Sequence, residues 1–302
     1  NLQVGRKEKA RGYREDWTRL RDRMNETLWN PHRGLYLDRK WSGEWSPRVA
    51  ASNFLPLAAG IPEPDQARIL LETLTDPDWF WGEFILPTIS KKDPLFTEQQ
   101  YWRGTIWPPM NYLIYQGLKR YAFDQVAGEL ASRSVALFLR SWREYQLCRE
   151  NYDSRTGEGG GQRYQSWGPL FALMGLEEFL DVTPWAGLTV GSLTTPGETT
   201  LRRIQALGRR WTVALTPQGL RLDADGRTVL ASDAPVVLRG LEATEGLVEF
   251  QAHSTGPVGI RVEHVPEPRS VRVDGVPVTP QGVWIRLEAG NHRVRIEARS
   301  RG

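Results

Sequence analysis

The segment YWRGTIWPPMNY, residues 101–112, decides the fold of this 302-residue chain. Two consecutive prolines are tolerated in a helix only within its first turn, so Pro108 and Pro109 mark the start of a helix. The apolar spacing that follows predicts that this helix runs from Trp107 to Tyr121. Aromatic rings, a guanidinium and an amide are therefore concentrated at the entrance of one helix.

A second segment, ENYDSRTGEGGG at residues 150–161, follows the next predicted helix, which runs from Asp124 to Leu147. It places the carboxylate of Glu150 at a helix end, beside a glycine-rich loop that allows close backbone approach to a ligand. Pyranose rings offer apolar C–H faces to aromatic side chains, and their hydroxyl groups pair with charged and amide groups. The two segments together favour a carbohydrate ligand, and the carboxylate favours hydrolysis.

The candidate sugar contacts lie in two segments, the entrance of the helix 107–121 and the long loop before it. Helical tryptophans pack more often in a core than against a ligand, and clustering with a guanidinium at a helix entrance favours the ligand only together with the family resemblance given below. Trp81 lies in a long loop, residues 76–100, and long ordered loops in compact domains are usually functional. The candidates from the residue pattern are Trp81, Tyr101, Trp102, Arg103, Trp107 and Asn111.

The segment 101–121, the ENYDSRTGEGGG segment and the later QSWGPL, in this order and at this spacing, resemble glycoside hydrolase family 63. That family contains processing α-glucosidase, bacterial α-glucosidases and mannosylglycerate hydrolase, and trehalases are more distant relatives. The resemblance covers residues 8 to about 182. It implies an (α/α)6 toroid of twelve helices and adds Trp167 to the expected sugar contacts. Trehalases carry Phe-Gly-Trp where this chain has Gln165-Ser166-Trp167, which disfavours trehalose as the substrate.

Hydrolysis with inversion needs an acid for the leaving oxygen and a base for the attacking water, with carboxyl groups roughly 6.5–9.5 Å apart. The resemblance places the base at Glu150, and Glu158 in the glycine-rich loop is the alternative. Either glutamate could instead be a solvated surface residue. The family's acid is an aspartate in a Gly-Trp-Asp segment, which this sequence lacks. Asp16 lies in a charged helix and is expected to be solvated, so we expect the acid to lie outside this chain.

Helical periodicity predicts six helices in the first part of the chain. The predicted ranges are 10–29, 50–59, 64–74, 107–121, 124–147 and 167–180. A hairpin is predicted between residues 35–38 and 41–45. Six helices are half of a twelve-helix toroid, and the chain begins at Asn1 without methionine. We therefore expect a fragment that carries the second half of the toroid and whose partner is the missing N-terminal half.

From Thr183 onwards, short alternating segments separated by turns predict an all-β sandwich. Predicted strands include residues 211–215, 247–250, 258–262 and 283–287. The fold class is therefore α plus β, with a helical domain at residues 1–185 and a β-sandwich domain at 186–302. Eleven of the thirteen tryptophans lie at or before Trp185, so the aromatic surface belongs to the helical domain.

Composition excludes several classes of function. A hydrophobic fraction of 40%, a charged fraction of 25% and a net charge of +3 are typical of a soluble protein. The sequence has no basic run with interleaved aromatics, so nucleic acid is not expected as a partner. It has no apolar run of membrane length, and a cytoplasmic location without membrane association is expected. The four histidines have no metal-ligand spacing, and neither a metal nor a cofactor is expected.

Three functions are compatible with these residues. The first is an inverting exo-glycosidase acting on α-glucosides or related small glycosides, such as mannosylglycerate, of which this chain is the C-terminal portion. The second is a carbohydrate-binding polypeptide without catalytic activity. The third is a glycoside phosphorylase, which would need a phosphate pocket where Glu150 stands.

Overall fold

The computed structural model describes residues 5–194, 197–244, 246–265 and 268–298. The chain forms two compact units. The first comprises Asn1–Phe123 and Arg133–Phe171, and the second comprises Asp124–Ser132 and Ala172–Gly302. Helices dominate the first unit and strands the second, so the α plus β class is confirmed.

The described residues contain six α-helices, close to those predicted. They are α1 (Lys7–Thr27), α2 (Pro56–Ala59), α3 (Pro64–Thr75), α4 (Pro108–Arg120), α5 (Asp124–Tyr145) and α6 (Leu170–Glu177). The predicted helix 50–59 is wrong in its first half, where Ala51–Phe54 forms a 3₁₀ turn. Pro56 has no N–H to donate, so α-helix begins only there. The predicted start of α6 at Trp167 is also wrong, because Pro169 prevents helix at Gly168.

In the region of the predicted hairpin, residues 35–45, the main strand pairing joins other residues than those predicted. Strand β1 (Trp29–Asn30) pairs with β2 (Leu35–Tyr36), so the last predicted residue of α1 belongs to a strand instead. Gly34 closes the turn with a φ of +63°, and Trp29 packs on Tyr36 with ring centroids 5.1 Å apart. The predicted hairpin remains as one isolated bridge between Arg39 and Trp45, flanked by backbone hydrogen bonds of 2.8 Å from Lys40 to Glu44 and from Ser46 to Asp38.

Long loops gather at one end of the first unit. Residues 60–63 and 121–123 are short links, which make the helices on either side of them run in opposite directions. The loops 28–50, 76–107 and 146–169 each follow a helix and lead to the first helical segment after it, so they alternate along the chain with the short links. All three therefore lie at the same end, which is the end that carries the candidate site.

The second unit contains two antiparallel sheets. The strands are β5 (Leu180–Thr183), β6 (Gly187–Val190), β7 (Thr199–Ala206), β8 (Arg209–Thr216), β9 (Gly219–Ala224), β10 (Arg227–Ser232), β11 (Val237–Thr244), β12 (Leu247–Ser254), β13 (Val258–Val262), β14 (Pro268–Val273), β15 (Val276–Pro277), β16 (Ile285–Leu287) and β17 (Gly290–Ala298). A six-stranded sheet has the order β16-β13-β10-β9-β8-β7, and a seven-stranded sheet has the order β15-β14-β17-β12-β11-β6-β5. Side chains of both sheets, among them Val213, Ile260, Phe250 and Val294, form one buried apolar core.

The second unit extends further towards the N-terminus than the predicted domain boundary at 185/186. Strands β5 and β6 pair with each other and continue into the seven-stranded sheet. The first residue of α5, Asp124, is buried and accepts a hydrogen bond from Arg239, and the Nδ1 atom of His253 lies 2.6 Å from its carboxylate. These contacts explain why the first turns of α5 belong to the second unit. Within the described residues, no helix is long and apolar enough to cross a membrane.

Candidate active site

Backbone hydrogen bonds join the long loops of the first unit into one ribbon. The N–H of Ala51 donates to the Thr88 carbonyl at 2.9 Å, and the N–H of Thr88 donates to the Thr105 carbonyl at 2.9 Å. Ile106 and Tyr152 then exchange two hydrogen bonds of 2.7 and 3.0 Å. This ribbon brings the start of α4 beside the segment that follows α5, so the two motif segments meet in space.

Four aromatic side chains, Tyr101, Trp102, Trp107 and Trp167, form what we call the aromatic cluster. Trp102 stacks on Trp107 with ring centroids 4.2 Å apart and an interplanar angle of 16°. Tyr101 contacts Trp107 edge-on at 5.1 Å, and Trp167 packs on it at 5.8 Å. The structure therefore brings together four of the five aromatic side chains predicted as sugar contacts, and the fifth, Trp81, lies outside this cluster.

The prediction that Trp107 contacts the ligand requires an exposed ring, but the structure buries this ring. Trp107 is only 2% exposed because Trp102 covers it, whereas Trp102 is 42% and Tyr101 is 59% exposed. The Trp107 indole N–H donates to Thr105 Oγ1 at 2.8 Å, which fixes the ring. The accessible aromatic surface is thus provided by Trp102 and Tyr101, with Trp107 beneath them.

The tight turn before α4 depends on unusual backbone angles. Tyr101 has a φ of 52° and Gly104 a φ of 101°. A Cβ atom at Gly104 would lie 2.5 Å from the Phe96 carbonyl oxygen, so glycine is required there. This turn lets Trp102 fold back over Trp107.

Glu150 lies beside the aromatic cluster. Its Oε2 atom accepts a hydrogen bond of 2.7 Å from the N–H of Gln162, and its carbonyl accepts one of 3.2 Å from the indole N–H of Trp167. Gly161 packs directly against the carboxylate, since a Cβ atom there would lie 2.5 Å from Oε2. The side chain is half-buried, and among the described residues Oε1 has no hydrogen-bond partner.

A two-stranded hairpin holds Glu150 in place. Strands β3 (Asn151–Tyr152) and β4 (Gly159–Gly160) pair directly after it. Tyr152 is fully buried and stacks on Phe171 at 5.7 Å, and burial raises the pKa of its hydroxyl group well above the usual value. The glycine-rich segment is therefore a structural partner of the Glu150 strand.

Asp153 closes the turn between β3 and β4. Its Oδ1 atom accepts hydrogen bonds from the N–H groups of Arg155 at 2.7 Å and Thr156 at 3.1 Å. Burial opposes ionisation of Asp153, but these bonds and the Arg155 guanidinium outweigh it and lower the pKa of the carboxyl group. Asp153 stabilises the hairpin in its ionised form.

Glu158, the alternative base, lies in different surroundings. It is exposed and lines a cavity of about 200 Å³ together with Arg140, Tyr145 and Arg149. None of the residues that line this cavity belongs to the aromatic cluster. Its position beside two cations is less suited to activating water at a sugar bound on Trp102.

The remaining predicted contacts have structural partners. Arg103 is part-exposed and forms an ion pair with Glu98. Asn111 is fully buried, and its amide bonds the backbone of the long loop, with Nδ2 donating to the Ile85 carbonyl at 2.7 Å and Oδ1 accepting from Leu86 N–H at 3.3 Å. In this structure Asn111 supports the loop and does not reach the surface.

Trp81 is also largely buried. Only 9% of it is exposed, and the Arg133 guanidinium lies 5.8 Å from its ring centroid. The adjacent Phe80 is fully buried against Phe54, with ring centroids 5.1 Å apart. The long loop is therefore anchored by its aromatic residues.

Gln99 also supports the site, although no sequence pattern predicts this role. Its amide donates to the Phe96 carbonyl at 2.8 Å and accepts from Ser154 N–H at 2.8 Å. It thereby ties the turn before the aromatic cluster to the Glu150 hairpin. A surface glutamine next to another glutamine carries no distinguishing pattern, so only the structure reveals this role.

An exposed aromatic surface on a helical framework, beside a half-buried carboxylate, places this unit among carbohydrate-active proteins of the glycoside hydrolase class. The family model of the mannosylglycerate hydrolase MGH1-like glycoside hydrolase domain matches residues 2–168. This match covers more than half of the chain, and the chain belongs to that family. The predicted resemblance is thus confirmed.

Two known proteins are similar to the chain over part of their length. It is 32% identical over 165 residues to mannosylglycerate hydrolase from Thermus thermophilus, which covers 53% of this chain and 37% of the relative. It is 30% identical over 118 residues to a probable mannosyl-oligosaccharide glucosidase from Schizosaccharomyces pombe, which covers 35% of this chain and 15% of the relative. The chain therefore spans little more than a third of the Thermus relative.

A solved structure of a sialidase is similar in fold, with a TM-score of 0.64 and 15% identity over 78% of this chain and 24% of that chain. At this identity the similarity concerns the fold alone.

Proposed function

We propose that this chain carries the general base and part of the sugar-binding surface of an inverting, exo-acting glycosidase. The position of Glu150 carries the proposal. A base must be held in place and must keep an oxygen available for the proton of the attacking water. The bond from Gln162 to Oε2 supports the first requirement, and the unpartnered Oε1 among the described residues supports the second.

The proposed substrates are small α-linked glycosides of glucose or mannose, including mannosylglycerate. The names of the two relatives, a mannosylglycerate hydrolase and a mannosyl-oligosaccharide glucosidase, support this choice. The exposed rings of Trp102 and Tyr101 offer the apolar surface that a pyranose C–H face prefers. Arg103 follows them in the chain, and its part-exposed guanidinium has more N–H donors than its bonds to Glu98 and Gln100 use.

We further propose that the general acid comes from the part of the whole enzyme that corresponds to the other half of an (α/α)6 toroid. The support is that the chain spans 37% of the Thermus relative and that the sequence lacks a Gly-Trp-Asp segment. Asp16 is a poor candidate for the acid, because its exposed carboxylate pairs with Arg19 on the surface of α1. The two sheets of the second unit are proposed to pack as a β-sandwich around their shared core.

The stereochemistry of hydrolysis tests the proposal. Proton NMR follows the first anomer that the enzyme containing this chain releases from an α-mannoside or α-glucoside. Because water attacks the face opposite the leaving group, the β-anomer should appear first and convert to the α-anomer by mutarotation. First release of the α-anomer would contradict the inverting mechanism, and absence of hydrolysis with retained sugar binding would instead indicate a binding protein.

A further inference from the structure

A second cavity lies at the same end of the first unit as the aromatic cluster. Its volume is about 310 Å³, and it is formed by the turn between β1 and β2, the segment 47–49, and residues 79 and 90–94. The N–H of Ser90 donates to the Val49 carbonyl at 2.9 Å, so the cavity borders the ribbon that joins the long loops. We call it the cationic pocket and define it by Arg33, Arg48, Lys92, Ser90, Trp79 and Asp93.

Positive charge exceeds negative charge in this pocket. Three cationic side chains and one carboxylate line it. The carboxylate, Asp93, is already engaged, because Arg48 Nη1 contacts its two oxygens at 2.8 and 2.7 Å. The Asp93 side chain is only 6% exposed, and it also accepts from the N–H of Leu95 at 2.9 Å. Asp93 thus holds Arg48 at the pocket and leaves the other two cations uncompensated.

Arg33 and Lys92 have no carboxylate partner among the described residues. Arg33 makes a long hydrogen bond of 3.4 Å to the Pro47 carbonyl. The Lys92 ammonium lies 4.4 Å from the ring centroid of Trp79, which orients it without neutralising its charge. Both therefore remain available for an anion.

Ser90 adds a buried donor to the lining. It is 2% exposed, and its hydroxyl oxygen accepts from the N–H of Lys92 at 3.1 Å. Among the described residues its hydroxyl hydrogen has no acceptor, although buried hydroxyl groups normally find one. Guanidinium, ammonium and hydroxyl donors around one space are the groups that bind phosphate and carboxylate oxygens. A space of 310 Å³ equals the volume of about ten water molecules and accommodates such an anion with room to spare.

We propose that the cationic pocket binds a small oxyanion, either a phosphate or a carboxylate. The anion would accept from Lys92, Arg33 and the Ser90 hydroxyl group while Asp93 keeps Arg48 in position. The same chemistry suits a free anion and an acidic substituent of a glycoside held at the aromatic cluster. The site does not depend on the proposed hydrolase activity.

Calorimetric titration of the full chain with inorganic phosphate and with lactate, at constant ionic strength, tests the pocket. Arg33→Gln combined with Lys92→Gln should weaken phosphate binding by at least about tenfold, because two charge-assisted hydrogen bonds are lost. Lys9→Gln combined with Arg14→Gln is the matched control, since it removes the same charge from the exposed surface of α1. Arg48 is kept in both variants, because its removal would leave Asp93 buried and unpaired.

Saturable phosphate or lactate binding that is lost in the pocket variant and retained in the control supports the site. Absence of saturable binding of either anion, or an equal loss in the two variants, overturns it. Repeating the titration with saturating mannose identifies the source of the anion. A marked change in phosphate affinity assigns the pocket to an acidic substituent of a bound glycoside, and unchanged affinity assigns it to a free anion. If phosphate binds and mannose does not, the sugar-binding surface proposed for this chain is contradicted, whereas the anion site is supported.

Discussion

Alanine at Trp102 and alanine at Trp107, made as separate variants, should have different effects on ligand affinity and on the free energy of unfolding. Trp107 is 2% exposed, and loss of a buried tryptophan costs about 3–5 kcal/mol, to which the lost bond to Thr105 adds about 1 kcal/mol. Trp102 is 42% exposed, and solvent fills the space that it leaves, so its removal should cost about half as much, roughly 1.5–2.5 kcal/mol.

The expected effects on ligand binding are in the opposite order. The accessible ring is that of Trp102, so Trp102→Ala should weaken mannose or glucose binding by about tenfold, which corresponds to about 1.4 kcal/mol. Trp107→Ala should act on binding only through loss of the support under Trp102. Trp41→Ala serves as the control, because Trp41 is fully exposed in the turn between Arg39 and Trp45 and its removal should change neither quantity.

Two measurements decide this prediction. Thermal unfolding of the first unit, followed by tryptophan fluorescence, should show Tm falling by about 8–24 °C for Trp107→Ala and about 3–10 °C for Trp102→Ala. Calorimetry with mannose and glucose gives the affinities of the folded variants. If Trp107→Ala unfolds no more easily than Trp102→Ala and loses more affinity, then Trp107 faces the ligand and the stacking order described above is incorrect.

Other perturbations test the supports of the site. Asn111→Ala should destabilise the first unit by about 2–4 kcal/mol in urea unfolding, because two buried backbone groups of the long loop lose their hydrogen-bond partner. A loss below about 1 kcal/mol would contradict the supporting role of Asn111. Asp153 has a lowered pKa, so its stabilisation is present above the ordinary value of 3.8 and is lost as pH falls through the lower folded value. Tm should therefore decline below about pH 4, and Asp153→Asn should flatten that decline. Gly161→Ala should displace the Glu150 carboxylate and reduce turnover. Gly43→Ala is the control, because Gly43 has a similarly positive φ and a Cβ atom there would have no neighbour within 4 Å, so turnover should be unchanged. An equal loss of turnover in the two variants would refute the packing argument.

Proline positions and apolar spacing in the sequence predicted most of the helices of the first unit. The two prolines at 108 and 109 fixed the start of α4, and apolar spacing fixed α1, α3 and α5 within a few residues. The same rules failed where proline lies inside a periodic segment. Pro56 and Pro169 interrupt patterns that otherwise indicate helix, so the helices begin later than the apolar spacing suggests.

The arrangement of the site required tertiary information. The stacking of Trp102 over Trp107 depends on left-handed backbone angles at Tyr101 and Gly104, and only the second of these residues signals such an angle in the sequence. Burial of Asn111 follows from the path of a loop about twenty-five residues earlier in the chain. Helical spacing placed Asn111 on one face with Trp107, but it could not show that this face is covered.

Local sequence patterns also could not predict the surroundings of Glu150. Its role as a base came from the family resemblance, whereas its contact with Trp167 depends on the hairpin between β3 and β4. A glutamate at a helix end is chemically ordinary until those partners are known. The structure supplies the partners and leaves the base role as a proposal.

The most direct test of that proposal compares Glu150→Gln with Glu158→Gln in the glycosidase that contains this chain, using steady-state hydrolysis of an α-mannoside or α-glucoside. Glutamine keeps the shape of the side chain and its bond from Gln162 but cannot take a proton from water, so Glu150→Gln should lower kcat by at least about 100-fold with little change in sugar affinity. Glu158→Gln, on the exposed cavity away from the aromatic cluster, should retain most of the activity. A Glu150→Gln enzyme with more than about a tenth of the normal rate, together with an inactive Glu158→Gln enzyme, would transfer the base role to Glu158 and contradict this account.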